Sequence, residues 1–170
     1  EIEVVCELLR NMGKHEIPVW CYAWMPVLGV IRTSQSISTR GGAHVSGFDL
    51  YTLGEEGDIG ERPIRNIDGT PIEEQDAQPE SVTEEQQWEN LKYFLERVVP
   101  VAEEANVKLA LHPDDPPLSP IRGVARIASN VENYQKVVDL AHSPMNGIGL
   151  CQGNFTLMTD DLPSVIRHFG

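Results

Sequence analysis

The sequence predicts an α/β protein built around a parallel sheet. Three observations carry that prediction. Short β-branched or apolar runs at 17–24, 107–112 and 147–152 each stop in polar, Pro-rich or Gly-rich sequence. Stretches of amphipathic helical spacing alternate with them, and the helix that ends at Asn106 passes almost directly into the next strand, the short connection expected of a parallel sheet.

Taken in order, Ile2, Val5, Cys6, Leu8, Leu9 and Met12 repeat at close to helical spacing, with Gly13 as the expected C-cap. IPVWCYAW, 17–24, is β-branched and aromatic, and Pro26 lies just beyond it, which predicts a buried strand that stops near Trp24. From Pro26 to about Pro79 no periodicity is sustained. The stretch carries Gly41-Gly42, Asp68-Gly69 and many Asp, Glu and Ser residues, and it far exceeds the usual connection of about 4 to 6 residues. It reads as a functional lid or as an insertion with small elements of its own, GFDLYTL at 47–53 being a candidate short strand.

SVTEEQQWENLKYFLERVVPVAEEAN is the clearest helix. Thr83 and Gln86 fit a capping box, and Trp88, Leu91, Leu95, Val98, Val99 and Ala102 form an apolar stripe. Pro100 should kink or divide it. A second capping box at Ser129 and Glu132 opens a helix with Val131, Tyr134, Val137, Val138 and Ala141 on one face. Asp161 caps a last helix, with Pro163 in its first turn and Phe169 near its end.

The stretch with the most chemistry is VKLALHPDDPP. Val107, Leu109 and Leu111 supply one apolar face of a strand, Lys108, Ala110 and His112 the other, and the prolines forbid continuation. GIGLCQG, 147–153, repeats the arrangement: Ile148 and Leu150 face one way, and Cys151 lies on the opposite face above Gly149 and Gly147. Two strands thus end in an imidazole and a thiol over a floor of small residues. Alone, a strand-end His is more often a residue with a satisfied hydrogen bond, and a free Cys more often a small buried hydrophobe.

A formal net charge of −13 disfavours partners that reward clustered Lys and Arg, nucleic acid and anionic membranes among them. Three cysteines, Cys6, Cys21 and Cys151, are an odd number without CxxC spacing, which argues against a disulfide framework or a zinc ribbon and for reduced thiols in a cytoplasmic protein. No apolar stretch approaches the roughly 20 residues needed to cross a bilayer, and the first residues do not read as a signal peptide.

LALHPDDPP, followed by IRGVARIASN and GLCQGNF, resembles mannonate dehydratase, most strongly from about Trp88 to Gly170, and Arg32-Thr33 fits as well. The resemblance implies a TIM (β/α)8 barrel of the xylose-isomerase-like group and removal of water from D-mannonate to give 2-keto-3-deoxy-D-gluconate in hexuronate breakdown. It also implies a divalent metal, Mn²⁺ or Fe²⁺, with His112 and Cys151 as ligands and a later His and Asp completing the set. A barrel typically needs about 250 residues, so the 170 residues, opening without Met and stopping at IRHFG, read as one partial barrel domain with an inserted loop at about 26–79.

On that reading Asp114 and Asp115 either orient His112 or bind substrate hydroxyls, against a bland alternative of solvated turn carboxylates; proximity to His112 favours Asp114. Arg32 offers bidentate geometry to a substrate carboxylate in a strongly acidic protein. Arg122 and Arg126 are weaker candidates with an equally good structural reading on a helix. Trp20, Tyr22 and Trp24 share a strand face and either wall a sugar pocket or pack the core. The alternatives are a metal-dependent sugar isomerase or epimerase on the same scaffold, or a catalytically silent barrel segment. The oligomeric state is left open, a homo-oligomer included.

Overall fold

The computed structural model describes residues 1–53, 64–72 and 82–170. A parallel three-stranded sheet organises them: β1 (Val19–Ala23), β7 (Lys108–His112) and β8 (Asn146–Ile148), in the order β1-β7-β8. Its register aligns Cys21 with Ala110, Ala23 with His112, and Ala110 with Gly147. Helices α1 (Ile2–Lys14), α2 (Glu84–Ala105) and α3 (Val131–Leu140) accompany the sheet, and α4 (Gln152–Phe155) and α5 (Leu162–Phe169) follow it.

Alternation along the strands sorts their two faces. Leu109, Leu111 and Tyr22 are buried against the stripe Leu91, Leu95, Val98 and Ala102 of α2 and against Tyr134, Val137 and Phe155. Trp20 stacks on Tyr22 with ring centroids 5.1 Å apart, and Trp24 lies 5.3 Å from Phe94 of α2. These aromatics therefore pack the helix side of the sheet; they do not wall the face that carries His112. That other face holds Cys21, Ala23, Ala110, Gly147 and Gly149.

Several expected boundaries move. Gly13 does not cap α1, which runs on to Lys14 with His15 as its cap. Gly13 instead permits close approach to α2, since a Cβ there would meet Ala105 O at 2.5 Å. α2 is not divided at Pro100, which is exposed, so the carbonyl freed by the missing N–H can turn to water. Thr83 caps α2 as expected, its Oγ1 accepting from Gln86 N at 3.2 Å, but the Gln86 amide turns to Glu89 and Asn90 rather than back to the cap. At the other end Asn106 adopts the left-handed conformation, and N–H bonds from Asn106 to Glu103 O and from Val107 to Ala102 O close a Schellman motif.

The cap of α3 is Asn130, not Ser129: Asn130 Oδ1 accepts from Asn133 N at 2.8 Å. Asp161 caps α5 as expected. The strand expected over 147–152 ends at Ile148, after which Gly149 N still bonds Leu111 O and Cys151 becomes the residue that leads into α4.

The described part of 26–79 has small elements of its own. β2 (Ile31–Arg32), β5 (Ile64–Asn66) and β6 (Pro71–Ile72) form an antiparallel sheet, with Asp68-Gly69 at the β5–β6 turn. β3 (Ser34–Ser38) pairs with β4 (His44–Gly47), and Leu50–Leu53 is a 3₁₀ turn rather than the expected strand. Leu28, Ile31, Ile64, Ile72 and Val82 close a second apolar cluster with Ile121 and Val124. Residues 54–63 and 73–79 of the expected insertion lie outside the described residues. Among the described residues no helix is long and apolar enough to cross a membrane.

Candidate metal and substrate site

The site lies where β7 and β8 end. His112, the last residue of β7, is partly buried, and its Nδ1 lies 2.8 Å from Pro113 O. A carbonyl only accepts, so Nδ1 is the nitrogen that donates here, and Nε2 is the one that a neutral ring would offer as a ligand. Cys151 sits beyond the end of the adjacent strand and is also partly buried. Its Sγ–H donates to Asn154 Oδ1 at 2.9 Å, and Asn154 Nδ2 donates to Asp114 O at 3.1 Å. Below them, a Cβ on Gly149 would meet Leu111 O at 3.4 Å and Cys21 Sγ at 3.5 Å, so glycine keeps this floor low.

The adjacent carboxylates of HPDDPP separate completely in role. Asp114 is fully buried, and its Oδ1 lies 3.4 Å from Arg126 Nε, which is fully buried too. Its backbone N–H bonds Ala128 O at 2.9 Å. Burial pushes the Asp114 carboxyl up to about 6, against the opposing pull of the Arg126 charge. Buried this way, Asp114 presents no exposed oxygen to a substrate, which leaves the orienting role of the two expected for it.

Asp115 is the carboxylate that remains partly exposed. Arg32 grips it with both arms, Nη1 to Oδ1 at 2.9 Å and Nη2 to Oδ2 at 2.8 Å. Arg32 is thus committed to Asp115 rather than standing as a free cation, with 13% of its side chain exposed against 27% for Asp115. The pairing follows from the insertion, because Ile31 N bonds Asp115 O at 3.2 Å and brings β2 against the HPDDPP loop. Together they border a cavity of about 360 Å³ shared with Phe48, Leu50, Pro117, Leu118 and Leu157.

Neither weaker arginine candidate stands on a helix. Arg122 and Gly123 both have positive φ and turn the chain between Ile121 and Val124, whose backbones bond each other in both directions, and Arg122 Nη1 reaches Ile72 O at 2.6 Å. Arg126 joins Asp114 and donates to Gly29 O at 2.9 Å, so it ties the insertion to the loop behind His112. The contacts of Arg126 agree with its structural reading, and Asn154 was not named from the sequence. The spacing of Asn154, three residues past Cys151 in GLCQGNF, was the available clue.

A thiol and an imidazole at neighbouring strand ends suit a borderline divalent ion. They are a partial donor set: among the described residues no three His, Cys, Asp or Glu side chains gather as a group that could hold a metal. Their chemistry fits such an ion: both side chains are only partly buried, and among the described residues Ala110, Gly147 and Gly149 keep the sheet face beside them small.

The whole chain, residues 1–170, matches the family model described as D-mannonate dehydratase (UxuA). It is 38% identical over 185 residues to a mannonate dehydratase of Thermotoga neapolitana, covering 99% of this chain and 51% of that protein. It is 36% identical to one from Enterococcus faecalis, covering 96% of this chain and 50% of the relative. The crystal structure of mannonate dehydratase from Streptococcus suis serotype 2 superposes with a TM-score of 0.75 at 33% identity, over 91% of this chain and 42% of that one. The chain spans about half the length of the curated relatives it matches.

Proposed function

The chain belongs to the D-mannonate dehydratase family, and from that premise we propose that it supplies two metal ligands and a substrate-facing carboxylate to a hydro-lyase acting on D-mannonate. The observation that carries the proposal is the placement of His112 at the end of β7 and of Cys151 three residues past the end of the paired strand β8, beside a sheet face of Gly and Ala. On this reading the parallel sheet is part of a (β/α)8 barrel of the xylose-isomerase-like group, whose catalytic groups gather at the C-terminal ends of the strands. The enzyme works in the cytoplasm in hexuronate breakdown. The 170 residues alone are inactive, because the two ligands assigned among the described residues fall short of the three a catalytic site normally draws from its protein.

The net reaction takes a proton from C2 of D-mannonate and the hydroxyl from C3, releasing water and leaving an enol that becomes 2-keto-3-deoxy-D-gluconate. A bound Mn²⁺ or Fe²⁺ supplies Lewis-acid stabilisation for the negative charge that develops beside the substrate carboxylate. His112 is prepared for such an ion by the bond from Nδ1 to Pro113 O, which fixes the ring and leaves Nε2 outward. Asp115, aimed by the two arms of Arg32, accepts hydrogen bonds from substrate hydroxyls. Asp114 and Arg126 act behind them by holding the loop in place.

The test is turnover of D-mannonate by the full-length protein after chelation and reloading with Mn²⁺ or Fe²⁺. The expected result is metal-dependent formation of the 2-keto-3-deoxy acid. Isomerisation without loss of water, or turnover indifferent to chelation, would reject the proposal.

A further inference from the structure

We infer that Asn154 is a positioning residue that sets the spacing between the two donors His112 and Cys151. The inference rests on the reading of that pair as metal ligands. Asn154 is buried, uncharged and one helical turn past Cys151, and its amide is used at both ends. Nδ2 donates to Asp114 O at 3.1 Å, across 40 residues of sequence, and Oδ1 accepts from Cys151 Sγ at 2.9 Å.

The first bond settles the orientation of the amide. Asp114 O has no proton to give, so the end facing it must be the NH₂, and the end facing the sulfur must be the carbonyl oxygen. While it keeps its proton the sulfur is thereby held in one rotamer, and the bond from Nδ2 to Asp114 O, the one that remains once a metal displaces that proton, ties the turn that carries it to the loop that begins at His112. No other side chain spans these two segments with a hydrogen bond at each end among the described residues. The bond to Asp114 O involves no titratable group, so it persists whether the sulfur is a thiol or a metal-bound thiolate.

Two donors from separate loops bind one ion well only if their separation is fixed beforehand; otherwise binding must order the loops at its own expense. Short strand ends would not do this here. β8 stops at Ile148, three residues before Cys151, and only the bond from Gly149 N to Leu111 O continues the ladder. Asn154 replaces the missing ladder.

The test uses Co²⁺ as probe in the full-length protein, reading its dissociation constant and the thiolate-to-cobalt charge-transfer absorption, with Cys151→Ser as control. Asn154→Ala should weaken Co²⁺ binding about 10- to 100-fold and diminish or shift the charge-transfer band. Asn154→Leu, close in size but with neither hydrogen-bonding end, should do the same, and it decides the matter if the alanine variant fails to fold. Wild-type affinity and band in a folded variant would overturn the inference, and so would loss of fold in both, which would assign Asn154 to stability alone. Unchanged Co²⁺ binding in Cys151→Ser would instead reject the ligand reading itself.

Discussion

Arg126 and Asp114 meet with neither side chain exposed, Nε to Oδ1 at 3.4 Å, directly behind the loop that follows His112. A buried charge is expensive unless its partner is present, so the two residues depend on one another. Arg126→Met keeps much of the volume but leaves Asp114 unpaired. It should cost about 3 to 5 kcal/mol in denaturant unfolding, whereas a loss under about 1 kcal/mol would mean the pair does not anchor the loop.

The grip of Arg32 on Asp115 is bidentate and partly exposed, so its effect should appear in catalysis more than in stability. Lysine cannot reproduce the fork. Arg32→Lys should lower kcat/KM for D-mannonate on the order of 10²-fold, as expected when a substrate-facing group is misaimed, with little change in melting temperature. Unaltered kcat/KM would remove the pair from the site.

Gly13 tests the packing of α1 on α2. In an exposed helix interior, Gly→Ala stabilises by roughly 1 kcal/mol. Here the new Cβ would sit 2.5 Å from Ala105 O and 3.1 Å from Ala105 Cβ. Gly13→Ala should therefore destabilise, by about 1 to 3 kcal/mol in urea titration. A stabilised variant would contradict the close approach.

The cap of α5 gives a pH dependence. Hydrogen bonds from the Ser164 hydroxyl and backbone N–H hold the Asp161 carboxyl below its usual range. The folded value is depressed, so the contribution is present above the unfolded value of 3.8 and is lost as pH falls through the folded one. Asp161→Asn keeps an equally good capping oxygen but does not titrate. Its unfolding free energy should fall less steeply with acid below pH 3.8 than that of the unaltered protein. Parallel acid profiles would refute the cap's contribution.

What could be read in advance was what local chemistry decides. The alternation at 107–112, the Thr83 and Asp161 caps and the helix stop at Asn106 are each settled within a few residues, and the structure has them. Pro100 and Gly13 misled because their roles depend on which side of the helix meets a neighbour, and Ser129 because the adjacent Asn130 competes for the same cap. The site divides the same way. HPDDPP and CQG point to a place, but which Asp is buried is decided by Arg126 and Arg32, 12 and 83 residues away in sequence. No local pattern encodes those pairings.

The central claim is that His112 and Cys151 share one cation, and anomalous diffraction at the manganese edge from crystals of the Mn²⁺-loaded full-length protein tests it most directly. The account predicts one peak within bonding distance of both His112 Nε2 and Cys151 Sγ, which leaves the two atoms roughly 3 to 4 Å apart. A peak bound elsewhere, with these side chains turned apart, would contradict it.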